Sequence, residues 1–438
     1  MKKYILIILC CLTSFPLWSY NVNMIVEHYS VDQGLPNNTV NCTLKDRDGF
    51  IWFGTWYGLC CFDGVKFKTF NKQEHDSDVP PRKIQRIVED KNGYIWVKTI
   101  DRKLYVFNKV TECFHAVYDD MKNYSENIQV IKLQNTAEGD VLLLTKDKNL
   151  LLAGVDEKGQ VTIKILFDSR DEINKHDYTL KHHVLCETEE YISWIGTDYK
   201  VSAVHKGAEL ASRPADFITS KINSGDKDSF TSFFEDGRKV WVGDRAGIFY
   251  SIDVRTGLVN RYVLSEIKGA ISNLLVTPAG YVYLSVAGQG TYEYDLAERR
   301  LQKINTEMND AMVTHAFIDQ YDKIWFHENE KALIYYDPLN HTAKRFPFTM
   351  FGKITTLYSE DAGERGLFFL SPAGEAWLFD REHAEMVYIN KLKQLSNDRA
   401  NQQFYHLMLD NDGVLWLSSA DEGVYCMNFP KKQFNLLS

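Results

Sequence analysis

Proline, basic charge and long apolar runs are all scarce in this chain of 438 residues. Only 10 residues are proline, and no low-complexity linker marks a hinge between domains. Lys and Arg number 50 against 59 Asp and Glu, and the resulting net charge of −9 disfavours direct nucleic-acid binding. Beyond the N-terminal segment, no stretch reaches the roughly 18 apolar residues that indicate a membrane-spanning helix.

The N-terminal segment has the pattern of an export signal. Lys2 and Lys3 precede an apolar run from Tyr4 to Leu12, which is too short to span a bilayer, and a small residue, Ser19, follows. We expect residues 1–19 to be a cleaved signal peptide and the mature chain to be periplasmic.

Cysteine is also sparse, with 8 residues, two of them inside the signal. The other six match no zinc-binding spacing and lie mostly in apolar runs, where a thiol acts as a small core residue. Cys60 and Cys61 are adjacent, as in the vicinal disulfide of quinone-cofactor propeller dehydrogenases, but such a bond needs special geometry and the rest of that signature is missing. The sequence therefore predicts buried free thiols, no metal site and no cofactor.

What the chain does contain is a repeat of about 45 residues. Its clearest copy spans residues 40–70 and places an aspartate-rich turn, Asp46 to Gly49, before a strand-like segment with Trp52. Nine copies can be counted. Their equivalents of Trp52 are Trp96, Leu143, Trp194, Trp241, Tyr283, Trp325, Phe368 and Trp416.

Each unit contains four short apolar runs separated by turn residues, which is typical of a propeller blade of four antiparallel strands. The predicted fold is therefore an all-β propeller. The fixed position of the tryptophans indicates wedges between blades, not a platform for sugars. The Asp-x-Asp-Gly turns at 46–49 and 410–413 lack the later ligands of a calcium loop, so turn chemistry explains them.

Nine blades exceed the four to eight that closed propellers usually have. We therefore expect a seven-bladed propeller over 24–347, followed by two blades of an incomplete second propeller over 348–438. A single ring of eight or nine blades is the alternative. A strand-like stretch at 24–29 is expected to complete the last blade of whichever ring forms.

Residues 29–40 followed by Gly49-Phe-Ile-Trp52-Phe-Gly54-Thr55 resemble the two-component regulator propeller repeat. That family forms the periplasmic sensor of hybrid two-component systems. The resemblance implies a receptor that binds oligosaccharides from polysaccharide breakdown, acts through a dimer, and signals to a downstream histidine kinase. The kinase core, the receiver and the DNA-binding domain of that family have no counterpart in this sequence, so the chain itself is not expected to be an enzyme.

Ligands of propellers commonly bind where the loops between the second and third strands converge with the connections between blades. Aromatic rings there can stack on sugars, while charged and amide groups can bond to hydroxyls. The candidate ligand-binding residues are Trp56, Tyr57, Arg102, Asp198, Tyr199, Arg245, Gln289 and Glu328.

Two other classes of function remain open. A propeller glycoside hydrolase or lyase would need a carboxylate pair that sequence alone does not reveal. A protein-binding scaffold would show a large exposed apolar patch. No catalytic motif is found, and the receptor hypothesis is preferred.

Overall fold

The computed structural model describes residues 25–70, 80–122, 129–146, 149–167, 185–188, 190–195, 201–207, 215–216, 230–304, 313–328, 331–351, 358–361, 363, 366–371, 375–391 and 404–428. Their strands form nine sheets, each of four antiparallel strands. This confirms the predicted all-β propeller architecture. The predicted signal peptide, residues 1–19, lies outside the described residues.

We number the strands in chain order and call each sheet a blade. The first strand, β1 (Ile25–Tyr29), is followed by a short 3₁₀ helix, Val31–Gln33. Blade 1 contains β2 (Val40–Lys45), β3 (Ile51–Thr55), β4 (Gly58–Phe62) and β5 (Phe67–Phe70). Blade 2 contains β6 (Ile84–Glu89), β7 (Ile95–Thr99), β8 (Leu104–Asn108) and β9 (Cys113–Ala116). The helix α1 (Tyr118–Met121) then leads to blade 3, with β10 (Val130–Asn135), β11 (Val141–Thr145), β12 (Leu150–Val155) and β13 (Val161–Phe167).

The middle of the chain adds three more blades. Blade 4 contains β14 (Leu185–Glu187), β15 (Tyr191–Ile195), β16 (Val201–His205) and β17 (Ala215–Asp216). Blade 5 contains β18 (Phe230–Glu235), β19 (Lys239–Asp244), β20 (Ile248–Asp253) and β21 (Val259–Val263). Blade 6 contains β22 (Ile271–Val276), β23 (Tyr281–Val286), β24 (Gly290–Asp295) and β25 (Arg300–Lys303).

The last three blades include β1. Blade 7 contains β26 (Val313–Ile318), β27 (Ile324–Glu328), β28 (Ala332–Asp337) and β29 (Thr342–Pro347), and a 3₁₀ helix, Phe348–Phe351, follows it. Blade 8 contains β30 (Tyr358–Asp361), β31 (Leu367–Leu370), β32 (Glu375–Asp380) and β33 (Glu385–Lys391). Blade 9 contains β34 (Phe404–Leu409), β35 (Val414–Ser419) and β36 (Val424–Asn428), and β1 completes it by pairing with β36.

Each blade begins with a hairpin between its first two strands, and an acidic side chain organises several of these turns. In blade 2, Asp90 accepts hydrogen bonds from the backbone N–H groups of Asn92 and Tyr94 and from Nε1 of Trp96, at 2.9, 3.0 and 2.9 Å. Gly93 in this turn has φ of 87°, a conformation that favours glycine. The aspartates are therefore turn residues, as predicted.

The same aspartate–tryptophan hydrogen bond recurs around the protein. Five such bonds are present among the described residues, with distances of 2.7–3.2 Å between the indole nitrogen and a carboxylate oxygen. The pairs are Asp46 with Trp52, Asp90 with Trp96, Asp236 with Trp241, Asp319 with Trp325, and Asp410 with Trp416. These five tryptophans are at most 5% exposed, which confirms their predicted place in the core. The side chain of Trp194 lies outside the described residues.

In two units whose equivalent of the tryptophan has no N–H, a threonine stands in place of the aspartate. Thr136 precedes Leu143 and accepts from the N–H of Asp140, while Thr277 precedes Tyr283 and accepts from the N–H of Tyr281. A hydroxyl is sufficient there because the turn keeps its acceptor and no indole needs one. Threonine is not restricted to such units, because Thr188 occupies the turn that precedes Trp194.

The core of the described residues consists of nine buried apolar clusters: eight span two blades that are consecutive in the chain, and the ninth spans blades 9 and 1. One of them packs Trp416 of blade 9 against Ile51 and Phe53 of blade 1. Another packs Trp325 of blade 7 against Phe369 of blade 8. The contacts between blades therefore follow a closed circle that includes all nine sheets.

The contacts between the nine blades differ from the expected division into a seven-bladed ring over 24–347 and two further blades over 348–438. A seven-bladed ring over 24–347 requires β1 to complete a blade within that range, whereas β1 pairs with β36 over the full register from Ile25–Asn428 to Tyr29–Val424. Blade 7 also packs on blade 8 instead of closing onto blade 1. The contacts agree with the alternative of one ring, because burying both faces of every blade removes the exposed sides that two isolated blades would keep.

Replacing Asp90 by alanine should destabilise the fold strongly. Asp90 is 1% exposed, and its loss leaves the indole N–H of Trp96 and the backbone N–H groups that it serves without an acceptor. We expect the free energy of unfolding to fall by about 3 kcal/mol, measured by urea denaturation. The matched control is Asp63→Ala, because Asp63 accepts two backbone N–H bonds in an exposed turn and has no indole partner. An equal loss in both variants would contradict a special role for the indole bond.

Truncation after residue 347 distinguishes the two ring models. In a single ring, the truncated chain loses the partners that cover blades 1 and 7, and we expect it to lose its cooperative thermal transition. A cooperative melt near that of the full chain, measured by circular dichroism, would instead support an independent seven-bladed unit.

Candidate functional site

The loops between the second and third strands meet the connections between blades on one side of the sheets, which we call the loop face. The backbone N–H of Lys83, just before blade 2, donates to the carbonyl of Trp56 in blade 1, at 2.9 Å. The carbonyl of Lys83 accepts from the N–H of Ile100, also at 2.9 Å. Lys83 thus fixes the neighbouring loops of blades 1 and 2 side by side, as the sequence predicts for this face.

Trp56 and Tyr57 form an exposed aromatic pair on the loop face. They are 42% and 64% exposed, unlike the buried tryptophans of the repeat. The ammonium of Lys83 lies 5.3 Å from the centre of the Trp56 ring, a cation–π contact that holds one side of the indole. The other ring surface is available for stacking on a ligand.

Blade 2 contributes a group of three cationic side chains that lie close to one another. Arg86 of β6 stands directly opposite Lys98 of β7 in the antiparallel register, and Arg102 follows in the next loop. Side chains at directly opposed positions point to the same side of a sheet, so like charges there destabilise it. Neither the Arg86 nor the Arg102 guanidinium forms an ion pair or a hydrogen bond with any residue that the structure describes.

Lys98 is the buried member of this group, at 6% exposure. Its ammonium donates to Oε1 of Gln85 at 2.8 Å and to the carbonyl of Ile131 in blade 3 at 2.6 Å. Burial, with Arg102 and Arg86 nearby, lowers the pKa of Lys98 to about 8. Both acceptors are neutral, so the positive charge is not balanced by them.

Arg102 occupies a strained position. Its φ is 66°, in the left-handed region that residues with a side chain seldom adopt. Its carbonyl accepts a hydrogen bond from the N–H of Val130 at 2.9 Å, which ties the loop to the start of blade 3. The guanidinium is therefore carried by a backbone that is fixed at both sides.

The other predicted site residues have different environments. Arg245 is exposed in the loop of blade 5. Gln289 bonds to the backbone of Lys268 and Glu266 at 2.7 and 3.0 Å, so its amide anchors the preceding connection. Asp198 and Tyr199 lie outside the described residues.

Glu328 differs most from the expectation of an accessible carboxylate. It is 4% exposed and accepts from Nε and Nη2 of Arg345 at 3.2 and 3.0 Å. A buried and fully paired carboxylate stabilises blade 7 and is not free to bind a ligand. The sequence predicted Glu328 to lie in the loop after the second strand, whereas it is the last residue of β27, and its partner two strands away could not be seen from the sequence.

Sequence reasoning missed Lys83, Arg86 and Lys98 because it considered only the loops between strands. A signal did exist. In blade 2, Arg86 is the third residue of the first strand and Lys98 is the next-to-last residue of the second strand. An antiparallel hairpin places these two positions, and therefore two like charges, opposite each other.

A second charged group lies at the turn of blade 1. Carboxylate oxygens of Asp46, Asp48 and Glu89 are close enough together to suggest a cation site. The ammonium of Lys109 already bonds to all three, at 3.0, 2.6 and 2.8 Å. Burial disfavours the charge on Lys109, but these hydrogen bonds outweigh it and raise the pKa of Lys109. A lysine therefore supplies the positive charge in this cluster.

Replacing Lys109 by methionine should destabilise the protein by about 3 kcal/mol, because the buried Asp46 and its acidic neighbours lose their counter-charge. Urea denaturation measures the effect. Lys68→Met is the control, since Lys68 pairs with Glu112 on the surface and should contribute less than about 1 kcal/mol. Equal stabilities of the two variants would show that the cluster has no structural role.

One cavity of about 350 Å³ lies between blades 4 and 5, lined by Thr188, Glu190, Tyr191, Gly237, Arg238, Asp253, Val254 and Arg255. It includes the turn at Gly237 between the first two strands of blade 5 and is therefore on the side opposite to the loop face. Arg255 and Glu190 approach each other there at 3.8 Å.

The fold and the repeat define a protein of the β-propeller type. Residues 34–57, which include β2 and β3, match the family model described as two component regulator propeller. This confirms the resemblance for the segment on which it was based. A search of the curated proteins found no match to the sequence.

Several solved structures share the general architecture. The extracellular domain of the putative one component system BT4673 from B. thetaiotaomicron is 13% identical, with 90% of this chain and 65% of that chain covered and a TM-score of 0.38. That of the putative hybrid two component system BT3049 from the same organism is 14% identical, with 94% and 61% covered and a TM-score of 0.35. Virginiamycin B lyase from Staphylococcus aureus is 8% identical, with 93% and 100% covered and a TM-score of 0.36.

The chain thus spans just under two thirds of the length of the two B. thetaiotaomicron domains. At these identities and TM-scores, neither they nor the lyase indicate a ligand or an activity for this chain. In the part of the chain that the structure describes, no helix is long and apolar enough to cross a membrane.

Proposed function

We propose that this protein is the ligand-sensing part of a periplasmic two-component regulator and that it binds an oligosaccharide on the loop face. The observation that carries the proposal is the exposed pair Trp56 and Tyr57, held by Lys83 next to the loop of blade 2 that carries Arg102. Aromatic faces stack on sugar rings, and nearby charged donors bond to hydroxyl or acidic substituents. The match at residues 34–57 supports the sensory role.

Signalling would follow from a difference in affinity. A ligand that binds one arrangement of two receptor copies more tightly than another shifts the population toward the first arrangement, by no more than that difference in free energy. In this proposal the chain forms a homodimer, and a histidine kinase outside this sequence responds to the shift. Binding leaves the oligosaccharide chemically unchanged.

A panel of plant and host oligosaccharides tests the proposal. Binding raises apparent stability by mass action, by about 2.7 kcal/mol at a ligand concentration one hundred times the dissociation constant. We expect a rise in melting temperature with one glycan class and an intact saccharide afterwards, measured in the same samples by scanning fluorimetry and chromatography. Formation of smaller sugars would contradict the receptor function and indicate a hydrolase or a lyase.

Replacing Trp56 or Tyr57 by alanine should weaken binding of the active glycan about tenfold or more, because each change removes a stacking surface, and calorimetry measures the affinity. Tyr388→Ala is the matched control, since Tyr388 is 51% exposed on the outer strand β33 and lies away from the loop face. Unchanged affinity in both loop variants would remove the loop face from the proposal.

A further inference from the structure

We infer that Arg86, Lys98 and Arg102 form a subsite for a negatively charged group, a carboxylate or a sulfate ester, on the ligand of the loop face. This inference deepens the proposed function and rests on it for the saccharide, although the anion site itself can be tested separately. Its basis is the juxtaposition in blade 2 of three cations that have no acidic partner among the described residues, next to the loop of blade 1 that carries the aromatic pair.

The first step is the strand register. Arg86 and Lys98 are directly opposed on β6 and β7, and the ladder is irregular just before this pair, between Ile84 and Arg86. The same irregularity occurs at the equivalent position of blades 1, 3, 5, 6, 7 and 9, so it belongs to the repeat, and the pair of like charges is what distinguishes blade 2. An opposed pair of like charges costs stability, so the fold alone gives no reason to place it here.

The second step is the hydrogen bonding of Lys98. An ammonium has three donors, and two of them are used by Gln85 and Ile131. Among the described residues, none accepts the third. Arg86 and Arg102 face this ammonium from β6 and from the loop after β7, and blade 3 contributes the carbonyl of Ile131. An anion would supply the missing acceptor and reduce the repulsion among the three cations.

The third step is the environment on the other side of Arg86. His406 of β34 lies near Arg86. The Nδ1 atom of His406 is buried and has no hydrogen-bond partner in the described part of the chain. Burial and the charge of Arg86 lower the pKa of His406 to about 4, so His406 is neutral and does not add a fourth charge. The nearby acidic side chain, Asp101, is engaged by Thr99 and Lys103 instead.

The anionic group also explains the position of the aromatic pair. Lys83 connects the loop of Trp56 with the loop that carries Arg102 through two backbone hydrogen bonds. A sugar stacked on Trp56 could therefore present an acidic substituent toward blade 2. Carboxylates and sulfates are bound in paired fashion by guanidinium groups, which two arginines flanking a lysine can provide.

The test compares oligogalacturonate with its methyl ester, which has the same sugar rings without the charge. Calorimetry with the full chain should show at least about tenfold tighter binding of the acid. A sulfated and an unsulfated chondroitin disaccharide, with inorganic sulfate, form the second arm. Preference for the acid over its ester identifies a carboxylate, preference for the sulfated disaccharide identifies a sulfate ester, and no charge preference in either arm overturns the inference.

Arg86→Gln and Arg102→Gln should each weaken binding of the charged probe about tenfold or more. Arg300→Gln, which removes an exposed arginine on the outer strand β25, is the matched control and should leave the affinity for the charged probe unchanged.

The second readout is the thermal stability of the protein without ligand. Because Arg86 opposes Lys98, Arg86→Gln should raise the melting temperature, whereas a structural arginine would lower it when replaced. A lower melting temperature would overturn the inference.

The pH dependence gives an independent check. A bound anion favours the charged form of Lys98, so affinity for the charged probe should fall as pH rises through about 8, while affinity for a neutral saccharide should not. A flat profile for the charged probe would contradict the role of Lys98.

If inorganic sulfate binds through Arg86 but no saccharide binds, the anion site stands and the oligosaccharide function fails. If only neutral saccharides bind through Trp56, the receptor function stands and the anion site fails.

Discussion

The hydrogen bond between a turn aspartate and the indole of the same blade is the interaction on which the fold depends. One carboxylate oxygen of Asp90 accepts hydrogen bonds from the backbone of the hairpin, and the other accepts the hydrogen bond from the indole N–H of Trp96. The turn and the wedge between two blades are therefore fixed by one side chain. Because the wedge packs on the next blade, a local turn determines how neighbouring sheets approach each other. In the units of Leu143 and Tyr283, which have no indole, a threonine hydroxyl serves the turn instead.

Most of the fold could be predicted because its determinants repeat. Turn glycines, alternating apolar strands and a fixed aromatic position recur often enough to identify nine units from the sequence. Closure of the ring could not be predicted in this way, because it depends on which blades share a buried face. The packing of Trp416 against Phe53 and the pairing of β1 with β36 bear on that question, and both are contacts between distant parts of the chain.

The site was less predictable for a related reason. Loop position correctly identified Trp56, Tyr57, Arg102 and Arg245 as exposed, because loops at that end of a blade seldom become buried. It failed for Glu328, whose Arg345 partner lies two strands away, and for Lys98, which is a strand residue. Charge balance between strands is a property of register, so the opposition of Arg86 and Lys98 could be inferred only by aligning the strands of the repeat, not from the loops alone.

The pairing of β1 with β36 has a consequence for folding kinetics. Strands from the two ends of the described chain lie in one sheet, so the last blade needs contacts of very large sequence separation. The entropy of closing so long a loop must be offset before that sheet contributes stability. Individual blades can form early from local hairpins, whereas the completed circle must wait for the final strand. Until then, the exposed edge of blade 9 is the segment most open to pairing with another chain.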